Sequence, residues 1–363
     1  MAKFLFVVQS EGRGHITQAM TLNDILTENG HEVVAVLVGK SNRRELPKFF
    51  TQKFDSKVYL FDSPNFLPAS KNKKTNIWAS IIYNLLKVGF YVKSIFFIHK
   101  QIRKFDVDIV VNFYDLMAGL TYLLFPPKVP YFCIAHQYIF LHPEYRFPDT
   151  NKIELSMLKF FTRVTCVKAL KLLALSTKKM PDIPERRIFV VPPLLRKDVL
   201  EAPVSDGHYL HGYMLNDTYA DRIIRFQEEH PDVFLHFFWD RKGVEKETVI
   251  NDHLSFHSLN DKLFIEYMAG CRAYATTAGF ESVCEAIYMG KPVLVVPTHI
   301  EQACNAFETS QLGAGIVADN FNLEKLLEYI PEYQKKPEFR DWVKQADEYI
   351  LNVFTSQTES GSI

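Results

Sequence analysis

Thr276-Thr277-Ala278-Gly279-Phe280-Glu281-Ser282-Val283-Cys284-Glu285-Ala286, followed by Gly290-Lys291-Pro292-Val293, Val296-Pro297 and Glu301-Gln302-Ala303-Cys304-Asn305-Ala306, decides how this chain folds. The order predicts a strand, a tight glycine turn, a helix, a Gly-Lys-Pro turn, a second strand and the start of a further helix. That is a βαβ unit with its polar side chains gathered at the strand ends. The amides from Gly279 to Ser282, with the Ser282 hydroxyl, stand at a helix N-terminus, where unpaired donors favour an anion such as a diphosphate. One turn further on, the Glu285 carboxylate can accept two ribose hydroxyl protons. Glu301 and Gln302 follow the next strand end and can reach sugar hydroxyls.

Working outward, strand-like runs recur at Phe4 to Val8, Glu32 to Val38, Val58 to Phe61, Val107 to Asn112, Val129 to Ile134, Lys171 to Leu175 and Ile188 to Val191, with amphipathic segments between several of them. Val191-Pro-Pro193 and the polar stretch to Gly207 break the pattern and predict a linker. Beyond it the runs are His208 to Met214, Val233 to Trp239, Leu254 to His257, Ala273 to Thr276, Val293 to Val296 and Gly315 to Val317, with helices from about Tyr219, Leu263, Glu281, Glu301 and Leu323. The expectation is α/β: two Rossmann-like doubly wound domains, residues 1–200 and 207–336, facing across a cleft at the carboxyl ends of their strands, where ligands of such sheets bind. An amphipathic stretch within 337–354 is expected to pack back on the first domain, and Thr355 to Ile363 to be a loose tail.

With 363 residues, 47% apolar and 23% charged, the chain has the material for two cores and the composition of a globular protein. Lys plus Arg equals Asp plus Glu at 42 each, which gives no support to a nucleic acid as partner. The five cysteines, Cys133, Cys166, Cys271, Cys284 and Cys304, are scattered and contain no C-x-x-C pair, so neither a disulfide framework nor a metal site is expected. Met1 to Val8 runs straight into a strand without a signal-peptide pattern, and a reducing cytoplasm fits best.

The first strand opens into Ser10-Glu-Gly12-Arg-Gly14-His15-Ile-Thr-Gln18-Ala19. Gly12 and Gly14 let the backbone turn sharply and approach a ligand. A dinucleotide fingerprint fits poorly, since the third glycine is missing and Leu37-Val-Gly39-Lys40 carries no acid to hold a ribose. His15 enters the first helical turn, where an imidazole can take a proton from a hydroxyl; the bland alternative is a histidine that caps or packs. A carboxylate to orient it is expected, with Asp115 a candidate, although an N-cap explains Asp115 equally well.

The apolar stretch Ile77 to Ile98 carries Asn84, Lys87 and Lys93, which argues against a membrane-spanning helix. Its stripe Ile77, Ile81, Leu85, Val88, Val92, Ile95 has helical spacing and predicts a core face. Trp78, Phe90, Phe96 and Phe97, close to Lys71, Lys73 and Lys74, fit either a wide core helix beside a solvated basic loop or a peripheral contact with a lipid surface or greasy acceptor.

The C-terminal block resembles the nucleotide-sugar half of GT-B glycosyltransferases, in the group that contains the peptidoglycan N-acetylglucosaminyltransferase and the UDP-glycosyltransferases (families 28 and 1). Gly12-Arg-Gly14-His15 is similar to their first loop. The resemblance implies inverting transfer of a hexosyl unit from a nucleotide-diphosphate sugar, UDP-linked by family habit, to a hydroxyl of a glycan, lipid-linked or small-molecule acceptor, with no bound metal and no cofactor. It implies His15 as base, with Thr277, Gly279, Phe280, Ser282, Glu285, Leu259 and Asn216 at the donor nucleotide and Glu301 and Gln302 at the donor sugar. Three positions depart from it. Gln18 stands where many relatives have proline, Thr277 and Glu281 stand where the plant branch has His and Asn, and Gly212-Tyr-Met-Leu-Asn216-Asp217 lacks the glycine-rich sequence of the peptidoglycan enzyme. Retaining enzymes of this fold commonly carry two glutamates eight apart; eight residues after Glu281 stands Met289. Two other readings compete: a sugar-nucleotide epimerase of the same fold, and a non-catalytic nucleotide-sugar-binding subunit.

Overall fold

The structure, a computed structural model, describes residues 1–10, 12–40, 46, 48–64, 87–215, 217–239 and 245–355. It divides into two compact units, one of Met1–Arg146, Asn151–Leu194 and Trp342–Ile363, the other of Phe147–Thr150 and Leu195–Asp341.

The first unit is built on a seven-stranded sheet of β1 (Lys3–Gln9), β2 (Glu32–Lys40), β3 (Lys57–Asp62), β4 (Ile109–Phe113), β5 (Tyr131–Ala135), β6 (Lys171–Leu175) and β7 (Ile188–Val191). Its order is β3-β2-β1-β4-β5-β6-β7, with every pair parallel. Strands covered on both faces need apolar side chains at successive positions, and Phe4 to Val8 are all buried. The chain winds outward from β1 to β3 and then returns to the other side of β1, so β1 and β4 are the neighbours at the reversal. Their register pairs Val8 with Phe113, which sets the loops leaving the two strands side by side.

The second unit repeats this winding with β8 (Tyr209–Met214), β9 (Phe234–Trp239), β10 (Glu247–Asn251), β11 (Leu254–Ser258), β12 (Ala273–Thr276), β13 (Val293–Val295) and β14 (Gly315–Val317), in the order β10-β11-β9-β8-β12-β13-β14. Only β10 runs antiparallel, on β11. β10 is absent from the runs expected of the sequence because it is an edge strand with Val249 and Ile250 exposed, which has no buried face to leave a pattern. One face of this sheet is apolar, with Leu210, Leu235, Phe237, Ala273 and Leu294 against Ile223, Phe226 and Leu326. Burying each large side chain of this kind stabilises by about 1.5–3 kcal/mol. The other face carries His211, His236, His257 and Tyr274 against Phe264 and Tyr267 of the helix Asp261–Gly270.

The last stretch forms two helices, Pro337–Val343 and Ala346–Thr355. Phe354 meets the rings of Phe4 and Phe132 edge-on or tilted at 5.4 and 5.0 Å, Trp342 Nε1 donates to the Ser176 carbonyl at 2.9 Å, and Lys171 Nζ donates to the Val353 carbonyl at 2.7 Å.

The expected core stripe Val88, Val92, Ile95 is corrected. The helix Val88–Phe105 buries Tyr91, Ile95, Ile98 and Ile102, while Val88 and Val92 are exposed with Phe90 and Phe96. Tyr91, Ile95, Ile98 and Ile102 form one row along the helix, whereas Val88 is its first residue and Val92 lies about a quarter-turn from that row. Ile77, Ile81, Leu85, Trp78 and the basic residues Lys71, Lys73 and Lys74 lie outside the described residues. Among the described residues, no helix is long and apolar enough to cross a membrane.

Candidate functional site

In the first unit the helix Arg13–Glu28 starts on Gly12, whose missing side chain leaves its amides without a side-chain cap. His15 lies in its first turn and is buried. Its Nδ1 is 3.3 Å from Gln18 Oε1, and its ring stacks on Tyr114 at 5.4 Å between centroids. With the amide oxygen of Gln18 as acceptor, Nδ1 is the donor of the pair. No hydrogen bond between Asp115 and His15 appears among the described residues; the polar partner seen on Nδ1 is Gln18. Tyr114 reaches the ring from the loop after β4; its φ of +63° turns the chain there, and its hydroxyl pairs with Thr162 Oγ1 at 2.7 Å.

Asp115 follows Tyr114 and is fully buried. Oδ1 accepts the amides of Met117 (2.8 Å) and Ala118 (3.2 Å), which caps the helix Leu116–Leu124, and Oδ2 accepts the Ser63 hydroxyl at 2.8 Å. Asn112 braces the same turn, accepting the Asp115 amide and donating to its carbonyl. Burial pushes the Asp115 carboxyl up to about 6, against the pull of these hydrogen bonds. A Cβ on Gly39 would collide with Asp115 Oδ2 and Ser63 Cβ, so only glycine fits there at the end of β2.

In the second unit the helix Phe280–Tyr288 starts on Gly279, again without a side-chain cap. Thr277 and Phe280 are buried, Gly279 is exposed, and the Ser282 hydroxyl donates to the Gly279 carbonyl at 3.3 Å. Ala278 has φ +56°, a conformation that costs a residue with a Cβ about 1 kcal/mol or more. Buried Asn305 holds that turn, donating Nδ2 to the Ala278 carbonyl at 3.0 Å and so tying the helix Ile300–Gln311 to it. On that second helix Gln302 Oε1 accepts both the amide and the hydroxyl of Thr298, at 2.9 and 2.8 Å, and among the described residues its NH2 makes no hydrogen bond; Glu301 is half-buried. Leu259 is half-buried next to Asn260, the cap of the helix Asp261–Gly270. Asn216 lies outside the described residues.

Glu285 is almost wholly buried, and one of its oxygens is occupied. Arg196 donates Nε (3.2 Å) and Nη2 (2.7 Å) to Oε1, while its Nη1 pairs with Asp261 Oδ1. Burial pushes the Glu285 carboxyl up and Arg196 pulls it back. Arg196, Asp261 and Tyr114 had no part in the sequence reading. A lone arginine after Pro192-Pro193 is a signal that could have been weighed, but its partners lie far along the chain.

A family model described as glycosyl transferase family 1 matches residues 2–332. No curated protein sequence matches the chain closely enough to count as a relative. Among solved structures, the glycotransferase of kitacinnamycin is 14% identical, with 99% of this chain and 97% of that one covered at a TM-score of 0.63. UGT89C1 of Arabidopsis thaliana complexed with UDP is 15% identical, with 99% of each chain covered at 0.63, and CalG4, the calicheamicin glycosyltransferase, is 15% identical with 99% and 98% covered at 0.59. At such identities these likenesses are ones of fold, and with the family match over nearly the whole length they lead to one conclusion: the chain belongs to glycosyl transferase family 1 and is a glycosyltransferase of the GT-B fold.

Proposed function

We propose that the protein transfers a hexosyl unit from a nucleotide-diphosphate sugar to an acceptor hydroxyl with inversion, the second unit binding the donor and the first unit supplying the base. The acceptor hydroxyl gives its proton to His15 Nε2 as its oxygen bonds to the anomeric carbon. The bond from that carbon to the diphosphate oxygen breaks on the opposite face, and the nucleoside diphosphate leaves with the electron pair. The first-turn amides at Gly279 to Ser282 and the Ser282 hydroxyl take up the growing charge, a preorganised response that needs no metal in the step. Glu285 accepts from the ribose, and Glu301 with the free NH2 of Gln302 receives the sugar hydroxyls. UDP is the first donor nucleotide to try, because neighbours of the same fold are complexed with UDP and UDP-2fluoro-glucose, although another is complexed with thymidine diphosphate.

The observation that carries this reading is the His15 ring in the first helical turn, met by Gln18 at Nδ1 and by Tyr114 on its face. The test is thermal-shift binding of nucleotide-diphosphate sugars together with turnover. Glu285→Ala is expected to abolish the shift, whereas His15→Ala keeps the shift and removes turnover. If both variants keep full activity, the assignment is wrong. Turnover of the donor alone into an epimeric sugar would favour an epimerase. Donor binding without transfer to any acceptor would favour a binding subunit.

The acceptor side includes a peripheral membrane contact in this proposal. The helix Val88–Phe105 contains Lys93, Lys100, Arg103 and Lys104 and no acid, and it exposes Phe90, Val92 and Phe96. Phe96 meets Phe125 at 4.8 Å, next to exposed Leu123 and Leu124, so apolar and basic side chains share this surface of the first unit.

A further inference from the structure

Glu285 presents an asymmetric carboxylate. Oε1 accepts Nε and Nη2 of Arg196, and among the described residues no hydrogen bond is made to Oε2. Both side chains are nearly closed to solvent, at 11% exposure for Arg196 and 4% for Glu285, so their pairing is not diluted by water. Arg196 is held from its other side by Asp261 at the start of the helix Asp261–Gly270, which fixes the plane of the guanidinium and with it the rotamer of Glu285.

Resting on the reading of Glu285 as the ribose acceptor, we propose that Arg196 is a positioning residue for the donor nucleotide: it occupies Oε1 of Glu285, keeps the carboxylate charged and leaves Oε2 as the acceptor for the ribose hydroxyls. The groups around the carboxyl support this division. Burial and the neighbouring Asp261 both disfavour negative charge on Glu285, and Arg196, paired with both carboxylates, opposes them. Without Arg196, burial and Asp261 push the carboxyl further up with no cation to oppose them, and a neutral acid is a poorer acceptor.

The test is calorimetric titration of the full chain with UDP, dTDP, GDP and inorganic pyrophosphate, for wild type, Arg196→Met, Arg196→Lys and Glu285→Gln, from pH 6.5 to 8.5. Arg196→Met is expected to weaken the nucleoside diphosphate that binds wild type best by roughly tenfold to a hundredfold at pH 6.5. That ratio to wild type should shrink as the pH rises to 8.5 and the orphaned carboxyl ionises. Arg196→Lys should recover part of the loss. Pyrophosphate, which has no ribose, should bind all four proteins alike. Equal loss of pyrophosphate and nucleotide would mean that Arg196 meets the phosphates itself, and a pH-independent ratio, or none different from one, would equally overturn the inference. If Glu285→Gln also binds as wild type does, the ribose reading has failed instead, which separates the two.

Discussion

Replacing Asp115 by Asn separates its structural work from any chemical work. The amide oxygen of Asn can still accept from Met117 and Ala118, and its NH2 can donate to Ser63 Oγ, so the helix cap survives. What disappears is a buried charge. A carboxyl raised from 3.8 to about 6 favours its protonated form when folded, so its contribution is greatest below pH 3.8 and is lost as the pH rises through 6. The loss is roughly 1.5 kcal/mol at pH 5 and ~3 kcal/mol at pH 7.5. Asp115→Asn should therefore gain about 1.4 kcal/mol relative to wild type between those two pH values. Hydrogen exchange of a peptide covering Leu116–Leu124, followed by mass spectrometry at both pH values, reads the opening free energy of the helix that Asp115 caps. A variant less stable than wild type by the same amount at both pH values would refute this account. Turnover of the same variant decides the other point, since an unchanged rate leaves Gln18 as the group that orients His15.

A second pH effect runs in the opposite direction. Burial drives His211 down to about 3, and its neighbours His236 and His257 are lowered too, so the unfolded state binds more protons from about pH 6.5 downward and the second unit loses stability as the pH falls. From His211 alone the loss between pH 7.5 and 5 is roughly 2 kcal/mol, and His211→Phe should flatten the slope of denaturant stability by that amount; an unchanged slope would contradict the buried neutral imidazole. For the surface of Phe90, Phe96 and the neighbouring lysines, cosedimentation with phosphatidylglycerol vesicles but not phosphatidylcholine ones, weakened by salt and by Phe90→Ser with Phe96→Ser, is the expected result. Equal recovery with both lipids, or none with either, would count against a membrane contact there.

How far the fold could be read depended on burial. Lys171–Leu175, Ile188–Val191 and Ala273–Thr276 have the bounds expected of them, because a parallel strand covered on both faces is a short apolar run cut off by turn residues, and Gly315–Val317, at the sheet edge, is bounded by its turns. β10 has no such run to offer. Val88 and Val92 stand at the end and at the margin of the buried row, and helical spacing alone carries no measure of how far along or around the helix the cover extends. At the candidate site, the glycine turns and the helix starts were legible, since they are local. The partners were not. Gln18 is three residues from His15 but reads as an ordinary helix residue, and Arg196 reaches Glu285 across 89 positions of sequence, a contact that only the folding of the second unit creates.

The two units make one further comparison possible, because they share a winding order. In each, the strand beside the first one, β4 or β12, ends in a turn that includes a non-glycine residue with positive φ, Tyr114 or Ala278, and a helix follows at once. The cap residue then differs. The first unit caps with Asp115, whose carboxylate takes the two amides an anion would want and would repel a diphosphate brought there. The second unit caps with Gly279, which takes none. Asn151, Asn260 and Asn322 cap other helices with their side chains, so the chain supplies a capping group readily where stability is the need. A glycine at the equivalent turn of the second unit leaves these amides open at a cost of only a few tenths of a kcal/mol relative to a polar cap. Open amides suit an anionic ligand, and Gly12 leaves them open on the helix Arg13–Glu28 of the first unit as well, so each unit has a glycine-capped helix start at a strand end.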